Sequence, residues 1–250
     1  MASPAVPPMH RDLDFNGPLS DERAARLIHS LGPLKGHHVV DLGCGWAELL
    51  LRTLSTEPTA TGFGIDLGEE NIRHGRVGAT ARGLADRVEL EVGDAGEWRG
   101  EPCDVVFNVG ATHVWGGDPV THTGNALTAL ADLTRSGGRA LFGECYWKRP
   151  PTEEEITAMA VVPRDQYRSL PDLVDFALSH GFRLYSLSEA TVDEWDHFEN
   201  GNAWSVEDWI RDNPRSPDFE EVIRRTDTHR RLRLHGRDVL GFAYLPLLRA

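Results

Sequence analysis

The chain has 250 residues, of which 40% are hydrophobic, 8% aromatic and 26% charged. This composition is that of an ordinary folded protein, and it excludes disordered, fibrous and small disulfide-stapled proteins. The 39 acidic residues outnumber the 26 lysines and arginines, which gives a formal net charge of −13. Because such a charge repels phosphate backbones and anionic lipid surfaces, the sequence predicts neither nucleic acid nor membrane as a partner.

The three cysteines indicate the redox state of the cellular compartment in which the protein is found. Cys44, Cys103 and Cys145 form neither a C-x-x-C pair nor a disulfide framework, which predicts free thiols in a reducing cytoplasm. The first residues do not combine a basic start with an apolar run, and no stretch of about 18 consecutive apolar residues occurs, so neither a signal peptide nor a membrane span is predicted. Metal-site spacing of histidine, cysteine and carboxylate residues is also missing, and no metal is predicted.

Along the chain, residues 1–18 contain four prolines and little periodicity, which predicts a flexible N-terminal arm. Residues 19–250 are predicted to form one domain. A first helix begins after the N-cap Ser20 and stops at Gly32. Short apolar strands then alternate with helical segments to about residue 189, a pattern that predicts a parallel sheet with helices on both faces.

The last third of the chain has a different character. Residues 190–236 are polar and mostly helical, with predicted helix starts at Ser205 and Ser216, and they are interpreted as a helical insertion or lid. Four aromatic residues in the insertion either cover a ligand or anchor the insertion to its own domain: Trp195, Phe198, Trp204 and Trp209. The closing run DVLGFAYLPLL predicts a final strand.

The strongest local signal is VVDLGCGWAELLLRTL, residues 39–54, in which a strand runs through Asp41, Gly43 and Gly45 directly into a helix. Glycines at this turn let a ligand approach the backbone, and the helix N-terminus offers free N–H groups. A dinucleotide fingerprint has its third glycine where Glu48 stands, and a carboxylate beside a diphosphate is unfavourable. Asp41 fits a cationic ligand better, because its carboxylate can accept hydrogen bonds from an ammonium group.

Two further acids follow later strands. Asp66 lies 21 residues beyond Gly45 at the end of the second strand, where a carboxylate can accept both ribose hydroxyls. Asp94 closes RVELEVGD and precedes Ala95, a position suited to an adenine amino group. Three acids at successive strand ends therefore predict an adenosine ligand.

With these residues the chain resembles a class I S-adenosylmethionine (SAM)-dependent methyltransferase of the small-molecule type, over about residues 19–189 and the last strand. The resemblance implies a Rossmann-like, seven-stranded, mostly parallel sheet with an antiparallel last strand. It implies SAM as cofactor, S-adenosylhomocysteine (SAH) as product and a small-molecule acceptor. The implied cofactor-binding residues are Asp41, Gly43, Cys44, Gly45, Asp66, Leu67, Asp94, Ala95 and Asn108, the last as the floor of the methyl-donor site.

The chain also resembles a bacterial subgroup with a G-E-x-Y-W stretch after the fifth strand, here residues 143–147. Ligands of open α/β sheets bind beyond the carboxyl ends of the strands, which selects candidates near this stretch and after the fourth strand. His113 is either a general base or an ordinary loop histidine. Glu144 either pairs with an amine or helps to bind a cation, or it forms a salt bridge or a helix cap. The predicted catalytic residues are His113, Glu144 and Tyr146, and the predicted substrate-binding residues are Trp115 and Trp147, although the aromatic residues can also serve as packing.

Three alternatives stay open from the sequence. The methionine moiety of SAM can itself react by intramolecular cyclisation, giving methylthioadenosine. A nicotinamide oxidoreductase shares the sheet and Asp66, and a non-catalytic protein can keep an adenosyl pocket. The basic stretch at residues 224–237 is interpreted as a solvated helix face, because aromatic residues for base stacking are missing from it.

Overall fold

A twisted sheet covered by helices forms the centre of the computed structural model, which describes residues 9–159 and 162–250. The strands are β1 (His38–Leu42), β2 (Thr61–Asp66), β3 (Val88–Val92), β4 (Cys103–Val109), β5 (Thr134–Trp147), β6 (Phe182–Leu184), β7 (Ser188–Glu189) and β8 (Leu240–Arg249). The helices are α1 (Asp21–Ser30), α2 (Glu48–Ser55), α3 (Glu69–Ala81), α4 (His122–Leu133), α5 (Glu153–Met159), α6 (Leu170–Ser179), α7 (Val192–Asp212) and α8 (Phe219–Gly236).

The strand order is β3-β2-β1-β4-β5-β8-β6, and the two-residue strand β7 pairs with β8 beside this path. Strands β1 to β5 pair in parallel with one another, whereas β8 runs antiparallel to β5. The predicted mostly parallel Rossmann-like sheet with an antiparallel last strand is confirmed, and β7 is the one strand added to the predicted seven. The order reverses between β1 and β4, where open α/β sheets form a crevice for ligands.

Both faces of the sheet are buried. Residues on alternate sides of β1 belong to different cores: Val39 packs with Leu50 of α2, and Val40 packs with Leu127 of α4. This arrangement follows from the period of two in a strand, because a strand covered on both faces is apolar throughout. The strand ends are therefore the places where polar side chains can reach a ligand.

The polar region before the last strand contains helices α7 and α8, which pack against each other. Thr191 caps α7, and a reciprocal hydrogen bond with Glu194 completes a capping box. The predicted helix start at Ser205 is wrong. Ser205 lies inside α7, is 1% exposed, and donates its hydroxyl hydrogen bond to Asp12.

Part of the predicted N-terminal arm, residues 1–8, lies outside the described residues. Residues 12–18, here called the strap, pack against the body of the protein. Phe15 is 7% exposed, and the guanidinium carbon of Arg52 lies 4.5 Å from the centroid of the Phe15 ring. The Trp46 indole donates to the carbonyl of Asp14 at 2.6 Å, so the strap has packing and hydrogen-bond contacts with the domain, and the flexibility of the arm stays a prediction.

Candidate active site

The glycine turn after β1 has the geometry that the sequence predicted. Gly43 and Gly45 have φ values of +78° and +56°, in the left-handed region that glycine adopts without strain. A Cβ atom on Gly43 would lie 2.5 Å from the Cβ of Ala111. The Gly43 N–H donates to the carbonyl of Ile65 at 3.0 Å, which ties the turn to the end of β2.

Two predicted acids meet at this turn. Asp66 accepts hydrogen bonds from the N–H of Gly45 at 2.9 Å and of Gly68 at 2.8 Å, one on each carboxylate oxygen. Asp41 is 6% exposed, and burial, aided by the charge of Asp66, raises the pKa of its carboxyl to about 8. A cation bound beside Asp41 would favour the ionised carboxylate.

A cavity of about 430 Å³ opens at this edge of the sheet. Six predicted site residues line it: Asp41, Gly43, Cys44, Gly45, Asp66 and His113. The sequence did not assign several other lining residues to the site: Phe15, Asn16, Gly17 and Pro18 of the strap, with Trp46, Asn71, Cys145, Phe242 and Tyr244. Trp195 and Phe198 of α7 close another side, consistent with the lid that the sequence considered for them.

Three residues predicted for the adenine lie along the same edge but do not line this cavity. Leu67 is 70% exposed just after β2, whereas Ala95 is buried in the core. Asp94 accepts a hydrogen bond from the N–H of Gly96 at 2.8 Å. The Gly93 N–H donates to the carbonyl of Asp66 at 3.0 Å, so the β3 end that carries Asp94 lies directly beside the β2 end.

Asn108, predicted as the floor of the methyl-donor site, does not line the cavity. Its side chain is fully buried, and its amide nitrogen donates to the carbonyls of Leu42 at 2.9 Å and Ala111 at 3.2 Å. The amide oxygen has no hydrogen-bond partner in the part of the chain that the structure describes. Asn108 therefore joins the end of β1 to the loop after β4, and its contact with the site is indirect.

Glu144 and Tyr146 project from the opposite face of the sheet. On β5 the cavity-lining residue is Cys145, and side chains alternate between the two faces of a strand. Tyr146 packs in the core on the α4 and α6 side and donates its hydroxyl hydrogen bond to Glu189. Burial raises the pKa of Glu144 to about 7. Neither side chain lines the cavity, and the catalytic roles of both residues stay predictions.

The two tryptophans predicted for the acceptor serve as packing. The Trp147 indole donates to the carbonyl of Arg164 at 2.9 Å, and its ring meets Tyr167 edge to face at 5.6 Å. Trp115 packs against the core on the α4 side. Neither lines the cavity, whereas His113 lies exposed at the cavity wall two residues before Trp115.

Two features are absent from the described residues. No helix among them is both long and apolar enough to span a bilayer. Within residues 9–159 and 162–250, no three histidine, cysteine or acidic side chains cluster closely enough to hold a metal ion.

Comparison with known proteins defines the family. The model of a methyltransferase domain family matches residues 33–196. The uncharacterized protein YjhP of Escherichia coli K12 is 31% identical over 212 residues, which cover 84% of this chain and 83% of YjhP. The X-ray structure of YjhP has a TM-score of 0.86 over 97% of this chain and 98% of its own, at 27% identity.

Two further crystal structures contain a ligand. SAM-dependent methyltransferases from Geobacter sulfurreducens and Thiobacillus denitrificans, both in complex with SAH, have TM-scores of 0.85 and 0.84. Their identities to this chain are 26% and 27%, and each comparison covers 97% of this chain and 96% of the other. The chain belongs to this methyltransferase domain family and is a SAM-dependent methyltransferase.

The residues at the glycine turn fit this cofactor. SAM carries an ammonium group, and the carboxyl of Asp41 is buried beside the charge of Asp66, both of which a bound cation would offset. Gly43 packs against Ala111, where a side chain does not fit, and it also lines the cavity. Family membership also sets aside the nicotinamide oxidoreductase and the non-catalytic binding protein that the sequence left open.

Proposed function

We propose that this enzyme transfers the methyl group of SAM to a small molecule. The observation that carries the proposal is the closure of the cavity at the sheet edge. The strap covers it on one side through Phe15 and Pro18, and α7 covers it on another through Trp195 and Phe198. A covered cavity of about 430 Å³ suits small ligands, because a folded macromolecule cannot enter it.

The cofactor positions follow from the polar groups. Asp41 binds the ammonium group of the methionine moiety, and Gly43, Cys44 and Gly45 offer close backbone approach. Asp66 binds the ribose hydroxyls through its Oδ2, which has the Gly45 N–H as its one partner among the described residues, and through its Oδ1 in place of the long contact of 3.4 Å from Asn71. The adenine extends along the strand ends toward a group of three residues: Leu67, Asp94 and Ala95.

Methyl transfer requires the protein chiefly to align the acceptor with the methyl carbon and to exclude water. When bound, SAM supplies an electrophilic methyl carbon: the acceptor's lone pair bonds to it while the carbon–sulfur bond breaks, and that electron pair stays on sulfur in SAH. A proton on the nucleophile passes to water or to His113. His113 lines the cavity on a short 3₁₀ turn, Thr112–Trp115, and is the proposed base.

The partners and the compartment are also proposed. The basic face of α8 is largely neutralised, because Arg224 and Arg225 pair with Glu221, and Arg230 pairs with Asp227. This pairing supports an enzyme that does not bind nucleic acid. The three cysteines are free, which supports a cytoplasmic location.

Calorimetric titration with SAH tests the cofactor site. Replacing Asp66 with Ala removes the proposed ribose acceptor and the carboxylate that holds the Gly45 N–H. We expect at least a tenfold weaker dissociation constant, a loss of about 1.4 kcal/mol. Asp86→Ala, at an exposed position outside the cavity, is the matched control and retains wild-type affinity. Equal affinities of Asp66→Ala and wild type would contradict the assignment.

A second experiment tests the acceptor and the reaction. The enzyme is incubated with SAM labelled in the methyl group and a bacterial extract, and the label is then measured in a low-molecular-weight filtrate and in the retained macromolecules. We expect label in the filtrate and SAH as the co-product. Label confined to protein or nucleic acid would refute the small-molecule acceptor. Methylthioadenosine as product would favour the intramolecular cyclisation that the sequence left open.

A further inference from the structure

A second cavity lies beside the cofactor cavity. It occupies about 240 Å³ between β5, α7 and α8. Cys145, Trp195 and Phe198 line both cavities, so these three side chains form a common wall. The two cavities therefore adjoin each other at this wall.

Most of the second cavity is apolar. Helix α7 contributes Val192, Trp195 and Phe198 to its lining. Helix α8, which packs against α7, contributes Leu232. Val162, Tyr167 and Leu240 complete the apolar lining. The indole N–H of Trp195 is buried without a hydrogen-bond partner among the described residues. Buried donors are normally satisfied, so this unpaired N–H is an exception within the common wall.

Positive charge exceeds negative charge among the residues that line the second cavity. Asp196 pairs with Arg233 at 3.3 Å and with Arg237 at 2.8 Å. Lys148 donates only to the backbone carbonyl of Arg237, at 3.3 Å, and has no carboxylate partner in the described part of the chain.

Glu199 and His229 form the other charged pair in the lining of the second cavity, and their charges offset each other. Glu199 lies 2.7 Å from His229, and this contact raises the pKa of the imidazole. In a chain of net charge −13, the ammonium of Lys148 is thus a local cation available to an anionic ligand.

We propose that this second cavity binds the methyl acceptor, and that the acceptor is a small amphiphilic carboxylic acid. The inference rests on the proposed function. The apolar body of the acid fills the space between α7 and α8, and its carboxylate pairs with Lys148. The atom to be methylated lies at the common wall of Cys145, Trp195 and Phe198, the part of the second cavity that adjoins the cofactor.

Binding to SAH-saturated protein tests this assignment without requiring turnover. Three probes share one naphthalene body: naphthoate, neutral naphthylmethanol and cationic naphthylmethylammonium. By calorimetry we expect naphthoate to bind at least tenfold more tightly than the alcohol, with the cation weakest. Lys148→Met reduces naphthoate affinity about tenfold and leaves the alcohol unchanged, because a charge-assisted hydrogen bond is lost. Lys35→Met, at the other lysine of the sequence, changes neither affinity.

A second variant tests the location. Val192 is 48% exposed and lines the cavity, so a larger side chain can enter the cavity from this position without displacing the core. Val192→Trp is expected to lose affinity for all three probes while SAH binding stays intact. Undiminished probe binding by this variant, or equal affinity of wild type for naphthoate and alcohol, would overturn the inference.

The two proposals fail in distinguishable ways. Wild-type protein that binds SAH but none of the probes refutes the acceptor pocket alone. Wild-type protein that does not bind SAH contradicts the proposed cofactor site, and the acceptor pocket with it.

Discussion

At the residue scale, the feature with the clearest chemical consequence is the buried carboxyl of Asp41. Burial and the neighbouring Asp66 raise its pKa to about 8, so Asp41 is mostly protonated at neutral pH in the ligand-free protein. An ammonium group beside it stabilises the carboxylate and lowers this pKa. Binding of the cofactor or of SAH, which keeps the ammonium, must then release a proton.

We expect SAH binding to release up to one proton at about pH 7, and progressively less as the pH rises above the ligand-free pKa of about 8. Calorimetric titration in buffers of different ionisation enthalpy measures the number of protons released. Asp41→Asn provides the control, since an amide cannot ionise: it binds SAH more weakly and without this proton release. Proton uptake by wild type, or release unchanged in the variant, would contradict the role of Asp41.

At the element scale, the strap has contacts that make it a cover for the cofactor. Its last residue, Pro18, accepts a hydrogen bond at 2.9 Å from the hydroxyl of Tyr244, which is fully buried on β8. Tyr244→Phe leaves the Pro18 carbonyl without this donor, at a cost of roughly 1 kcal/mol. Because the strap is then held less firmly, we expect SAH to dissociate several-fold faster.

Stopped-flow measurement of SAH release tests this expectation. Tyr185→Phe is the matched control, because Tyr185 is 54% exposed and lies outside the cavity lining. Unchanged release from Tyr244→Phe would show that the strap does not limit dissociation of the ligand.

Local signals made the strands and the glycine turn predictable. A β-branched run followed by Asp41, Gly43 and Gly45 contains the strand, the turn and the helix start within a few residues, and the structure reproduces all three. The strap was not predictable in this way. Its contact between Pro18 and Tyr244 joins residues 226 positions apart, and nothing near residue 18 encodes it.

Strand β5 shows a different limit. Its residues 141–147 are almost all buried, so hydrophobicity does not reveal which alternate set faces the cavity. Neighbouring side chains of a strand point to opposite faces, so Cys145 lines the cavity whereas the predicted Glu144 and Tyr146 do not. The wrong helix start at Ser205 has a related cause. Its hydroxyl was interpreted as a helix cap, but it lies in the middle of α7 and donates to Asp12, a residue far away in the sequence.

At the scale of the whole molecule, a buried ion pair connects two distant parts of the chain that border the cofactor cavity. Arg23 of α1 and Glu194 of α7 are 7% and 8% exposed, and the Arg23 Nε lies 2.8 Å from the nearer carboxylate oxygen. Ser20 donates to the same carboxylate at 2.6 Å. Trp195, which follows Glu194 directly, is part of the common wall between the two cavities. The pair therefore fixes the first turn of α7 against α1 and so fixes this wall.

Burial acts to raise the pKa of Glu194, but hydrogen bonds from Arg23 and Ser20 outweigh it and lower the pKa to about 2. A depressed carboxyl pKa contributes stability that is present above the unfolded value of about 4.5 and is lost as the pH falls toward 2. Glu194→Gln removes this ionisation. The free energy of unfolding of the variant should therefore depend less on pH between about 4.5 and 2, which denaturant titrations at several pH values can measure.

Removing Arg23 alone should destabilise the protein more than removing both members of the ion pair. Arg23→Met leaves the Glu194 carboxylate buried without its cation, a change expected to destabilise the protein by about 3 kcal/mol or more. The double variant Arg23→Met/Glu194→Met puts two apolar side chains in the same space and should recover most of that stability. Because a displaced α7 also moves Trp195, the single variant should bind SAH more weakly, and the double variant should recover part of the affinity. Recovery of stability without any recovery of SAH affinity would show that the ionised pair itself, rather than the packing of α7, is required to shape the cavity.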